Sequence, residues 1–139
     1  LTLDGRSKGS IPLQALGYYI PFITSFINNM RKIEREMIQA IIDGRSWSKA
    51  NTRVKDEGDV QSIYLHDNKI ASIEKGQLFI NHCGWKTVTT KSRLNALVKH
   101  YLGELSCIYQ KNFDWFVKQT DNATGMYDTY EFPDGWLLV

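Results

Sequence analysis

Cysteine is scarce in this chain: only Cys83 and Cys107 occur among 139 residues, without CxxC spacing. A disulfide framework is not expected, and a reducing compartment is. Neither GxxxxGK[ST] nor GxGxxG occurs, so nucleotide-hydrolysing and dinucleotide-binding readings have no footing. The three histidines, His66, His82 and His100, are dispersed, and His82-Cys83 are adjacent rather than at metal-ligand spacing. Asp56-Glu57 fall in a turn and read as solvated carboxylates. The expectation is therefore no enzyme, no cofactor and no metal, with a Cys83-centred site as the remaining enzymatic option. Long apolar runs are missing too. The longest, around Leu16 to Ile27, is broken by Gly17, Pro21, Thr24 and Ser25, so neither a membrane span nor a secretory leader is expected.

Acid is missing from one long stretch. Between Glu74 and Glu104 there is no Asp or Glu, while Lys75, Lys86, Lys91, Arg93 and Lys99 all fall there. A segment with one sign of charge attracts anions. The reverse holds after Lys118, where Asp121, Asp128, Glu131 and Asp134 meet no Lys or Arg. Net charge is only +2, so any affinity for a polyanion must come from this distribution rather than from the total. With 42% hydrophobic and 12% aromatic residues, the chain can bury an ordinary core of one domain.

Residues 1–12 are rich in Gly, Ser and charge and read as a loose tail. From Pro21 to Gly44, apolar residues recur at three- and four-residue steps, which predicts a long amphipathic helix. Its stripe is wide enough to pack on a sheet and still meet a second copy, so self-association is expected through residues 21–43. The division expected is 1–44 as tail and helix, and 45–139 as an α+β domain. In that domain Asn51–Lys55, Ser62–His66, Lys69–Glu74 and Gln77–Ile80 read as strands, with Asp67-Asn68 as a tight turn. The broken alternation around Ile70–Ile73 suggests a bulge or an edge. Thr90 to Leu102 reads as a capped helix stopped by Gly103. A second hairpin around Asn112 joins Ser106–Lys111 to Phe113–Val117, and two short strands end the chain. The fold expected is thus a long N-terminal helix, then one curved antiparallel sheet crossed by a second helix.

The stretch from Ile63 to Val117 resembles a group of small bacteriophage proteins. The resemblance rests on Leu65-His66, Asn68, Ile70-Ala71, Cys83 to Trp85, Thr87, Thr89 to Leu97, Ile108 to Lys111, Trp115 and Val117, with Phe132, Asp134 and Gly135 later. The whole also looks like the single-stranded-DNA-binding RNA polymerase cofactors of podoviruses that package a giant RNA polymerase. That likeness implies a protein of the host cytoplasm that holds melted promoters for a phage RNA polymerase.

The residues themselves point the same way. Lys86, Lys91, Arg93, Lys111 and Arg53 would neutralise phosphates, and Trp85, Tyr109 and Trp115 would offer stacking faces for single-stranded DNA. Which aromatics of the second hairpin face solvent depends on register, which spacing leaves open. The competing expectation is a protein-binding effector that docks a partner through its apolar helix or acidic tail.

Overall fold

A computed structural model describes residues 30–139. The expected tail and residues 21–29 of the expected helix lie outside the described residues. Helix α1 runs over Lys32–Asp43, and Met30 and Arg31 before it are not helical. The helix is therefore shorter at this end than the apolar period predicted. It buries Met37, Ile38, Ala40 and Ile41, so most of its described stripe is spent inside the domain. Two backbone bonds close it, Gly44 N to Ile41 O and Arg45 N to Ala40 O. This paired arrangement needs a left-handed residue, and Gly44 supplies it at φ 66°. The compact unit runs from Lys32 to Val139, α1 included.

Nine strands follow: β1 (Trp47–Lys49), β2 (Thr52–Asp56), β3 (Val60–Leu65), β4 (Asn68–Glu74), β5 (Gln77–Ile80), β6 (Cys107–Lys111), β7 (Asp114–Thr120), β8 (Tyr127–Glu131) and β9 (Leu137–Leu138). They form two antiparallel sheets rather than the single curved sheet expected. The first has the order β1-β2-β3-β4-β5-β9 and the second β6-β7-β8.

The reason for the split is helix α2 (Val88–Leu102), inserted between β5 and β6. The Asn95 side chain on α2 meets the edge of β6 as a strand would. Its Oδ1 accepts from Ile108 N at 2.7 Å, and its Nδ2 donates to Ile108 O at 3.2 Å. Strand β9 returns at the end of the chain to cover the edge of β5, which removes a free ladder of backbone donors and acceptors.

The turns explain the local register. His66 and Asp67 both have positive φ (50° and 66°), and Leu65 pairs with Asn68. The β3–β4 loop is thus His66-Asp67, one residue earlier than expected, and two left-handed residues give it the twist that antiparallel strands favour. A bulge follows: Ile63 pairs with Ala71 while Tyr64 pairs with Lys69, which leaves Ile70 as the extra residue. Asn112 and Phe113 form the other two-residue loop, at φ 52° and 71°. Phe113 therefore belongs to no strand face and stands 86% exposed at the turn.

Register also decides the second sheet. Ile108, Trp115 and Val117 share the buried face, and Phe132 packs against Trp115 with ring centroids 6.0 Å apart. Tyr109 and Phe116 lie opposite each other on the other face, stacked at 5.5 Å.

Candidate nucleic-acid interface

Helix α2 carries the TTKSRLNAL block, and its geometry shows what the block does. The cap is Thr87, whose Oγ1 accepts from Thr90 N at 3.1 Å. The helix therefore starts at Val88, two residues before the predicted Thr90, which puts Lys91 and Arg93 beyond its first residues. Arg93 is 4% exposed. Its Nη1 lies 2.7 Å from Glu34 Oε2 on α1, its Nε donates to Thr52 Oγ1 at 2.9 Å, and Nη2 reaches Asn51 Oδ1 at 3.3 Å. Ser92 Oγ donates to the same Glu34 carboxylate.

Arg93 is thus withdrawn from phosphate binding: its charge is buried and its donors bind α1 and the first hairpin. Lys91 is half-buried on the same helix. Trp115 is withdrawn as well, 2% exposed in the interior. A one-residue difference in facing makes its neighbour Phe116 the outward ring instead.

Two more predicted residues stand on the second sheet. Tyr109 is half-buried against Phe116, and Lys111 is exposed, directly opposite Asp114. The remaining three, Arg53, Trp85 and Lys86, belong to the first sheet and the loop after it. Arg53 and Tyr64 are cross-strand partners on β2 and β3, with the guanidinium 4.4 Å from the ring centroid. Tyr64 in turn faces Lys69 on β4, and the Lys69 ammonium lies 5.8 Å from the Trp136 ring. Arg53, Tyr64, Lys69 and Trp136 therefore alternate cation and ring. One carboxylate, Asp67, approaches Arg53 at 3.7 Å. Tyr64, Lys69 and Trp136 were not among the residues singled out by sequence. Period-2 alternation is a local signal for Tyr64, half-buried between the core residues Ile63 and Leu65, but nothing local brings Trp136 to Lys69.

The loop after β5 joins this region through Cys83, whose Sγ donates to Lys69 O at 3.2 Å. Inside the loop, Gly84 N donates to His82 Nδ1 at 3.0 Å, Trp85 N to His82 O, and Thr87 N to Trp85 O. These bonds hold the Trp85 backbone while its ring stays 60% exposed. Together the loop, the β3–β4 hairpin and the start of α2 enclose a cleft of about 430 Å³. Leu65 and Ile70 line it with apolar surface, Trp85 with its ring, and Asn68, Thr87 and Thr89 with polar groups. The bulge places Ile70 there, which is a common use of such irregularities.

His82 also borders the cleft and is fully buried among Trp115 and Phe132, at 5.6 and 4.9 Å. Burial pushes its pKa down, and Lys86 adds to that. Asp134, 3.5 Å from Nε2, and the Pro133 backbone oppose the shift. Burial pushes the Cys83 thiol up, which favours the unreactive protonated form. Among the described residues there is no group of three side chains suited to hold a metal ion.

The architecture defines a two-sheet α+β domain with a cation–aromatic surface at one hairpin end. The family model described as Kyanoviridae Gp96 protein matches residues 30–138. The chain belongs to this bacteriophage protein family. No curated protein and no solved structure matches it.

Proposed function

We propose that this phage protein binds single-stranded DNA without strong base preference, through the hairpin end of its first sheet. The observation that carries the reading is the alternating row Arg53, Tyr64, Lys69 and Trp136. Rings with a polar rim offer stacking faces to any base, each worth about 1–3 kcal/mol, and the cations meet the backbone between them. Lys86, beside the exposed Trp85, extends the positive surface. The test is fluorescence anisotropy of a labelled oligothymidine and its matching duplex at two salt concentrations. Salt-sensitive binding that favours the single strand is expected, and equal or absent binding of both forms would remove the reading. In an infected cell this activity would serve melted promoters beside a phage RNA polymerase. In-vitro transcription with that polymerase, with and without the protein, checks this step separately.

A second reading, docking of a protein partner, is favoured by the other sheet. There Phe113, Met126 and Tyr127 are exposed, and Asp128 and Glu131 on β8 are exposed acids. Such a surface suits a basic protein segment. Loss of partner capture on substituting Met126 and Tyr127, with oligonucleotide binding absent throughout, would favour it.

A further inference from the structure

The Trp85 cleft differs in kind from the cation–aromatic row. The row runs across neighbouring strands, with Tyr64 and Lys69 half-buried, whereas the cleft is a concavity of about 430 Å³, within the size range of small-ligand sites. Its composition is selective. Leu65 and Ile70, both almost fully buried, make its floor apolar, and the exposed Trp85 offers a flat partner to stack on. Asn68 supplies an amide that can both donate and accept, and Thr87 and Thr89 supply hydroxyls. No Asp or Glu lines the cleft, and Lys86 follows Trp85 directly in the chain.

An aliphatic ligand would leave the polar rim without use, and a cation would find no carboxylate. A flat heteroaromatic ring with hydrogen-bonding edges suits this lining, and an anionic substituent on it suits Lys86, whose charge is felt at the cleft-lining His82. We infer that the cleft binds one unpaired nucleotide, with the base against Trp85 and its phosphate toward Lys86. This inference rests on the single-strand reading and supplies its selectivity. A paired base keeps its faces and its pairing edge inside the duplex, so only an unstacked one enters. A single nucleotide at a strand end or a melted junction meets that condition.

The experiment uses mononucleotides, which are too short to span the row. Tryptophan fluorescence of the full chain is titrated with dAMP, with dTMP, and with ribose 5-phosphate as the same anion without a base. Both nucleotides are expected to quench saturably and ribose 5-phosphate not to. Trp85→Leu should weaken the nucleotide response by about 10- to 100-fold, the loss of one stacking partner, and Trp85→Phe should recover part of it. Nuclear magnetic resonance shifts of the Asn68 and Thr89 amides on dAMP addition give a readout independent of Trp85. Equal response to ribose 5-phosphate, an unchanged Trp85→Leu titration, or unmoved Asn68 and Thr89 amides would each overturn the inference. The double variant Arg53→Ala, Lys69→Ala separates this site from the row. Mononucleotide binding should persist in it while oligonucleotide affinity falls. Oligonucleotide affinity that ignores the double variant sinks the row and leaves the cleft standing.

Discussion

The two sheets carry similar ingredients on their outer surfaces and arrange them differently. On the first, Arg53, Tyr64, Lys69 and Trp136 alternate cation and ring, with Asp67 as the acid that approaches Arg53. On the second, Tyr109 is stacked on Phe116, Lys118 covers the Tyr127 ring at 4.2 Å, and Lys111 faces Asp114. Phe116 is also paired with Glu131. Its Tyr109 and Phe116 rings are closed on one another, Lys111 stands opposite Asp114, and Lys118 lies over the Tyr127 ring. Register makes the difference: it sets cations and rings in alternation on the first sheet and closes Tyr109 on Phe116 on the second.

The comparison can be broken most severely at the block that looked most functional. Arg93→Ala should destabilise the domain by about 3–5 kcal/mol, because it strands a buried Glu34 carboxylate. Urea unfolding measures this, and Glu34→Leu with Arg93→Met should recover much of the loss. A stable Arg93→Ala protein with weakened DNA binding would return Arg93 to the surface.

Within one strand, neighbouring residues should behave oppositely. Trp115→Ala should cost about 3–5 kcal/mol, whereas Phe116→Ala, on the outward face, should cost far less. Equal losses in thermal melts would mean that the face assignment is wrong.

Between the sheets, Arg53→Ala with Lys69→Ala should weaken oligothymidine binding about tenfold. It should also reduce the magnitude of the salt slope by about 1.4, near 0.7 for each lost phosphate contact to a single strand. Lys111→Ala with Lys118→Ala should change neither, and anisotropy at several salt concentrations compares the pairs.

The smallest expected effect is on pH dependence. His82 has a folded-state pKa below its ordinary 6.5, so the unfolded chain takes up the proton more readily. Stability should fall as pH drops from 6.5 toward the folded value and be fully present above 6.5. His100, also held down by desolvation, adds to the same trend. His82→Gln should flatten part of this slope in urea titrations at pH 7 and pH 5.

Much of the local structure was legible. Strand-like runs marked every strand except β1, the Ile70 irregularity became a bulge, and Gly44 and Gly103 ended the helices as expected. At Gly103 a side chain would also meet Asn122, only 2.0 Å from an added Cβ. Trp85 and Lys86 could be chosen because a Gly-Trp-Lys-Thr turn before a helix is exposed for local reasons. The errors were small in sequence and large in space. The β3–β4 turn moved by one residue and the start of α2 by two, while Trp115, offered as a stacking face, proved to be core.

The sequence by itself determined what depends on near neighbours: turn chemistry, helix capping, strand periodicity, and the membership of a phage family that its residues carry. Only the tertiary structure decided which face of each strand is core. Alternation defines two faces, and the larger buried area elsewhere in the fold chooses between them. It alone brought Glu34 to Arg93, 59 residues away, and Trp136 to Lys69. A charged side chain looks the same in sequence whether it meets water or a buried partner. Its availability to a ligand is settled by the long-range packing that supplies, or withholds, that partner.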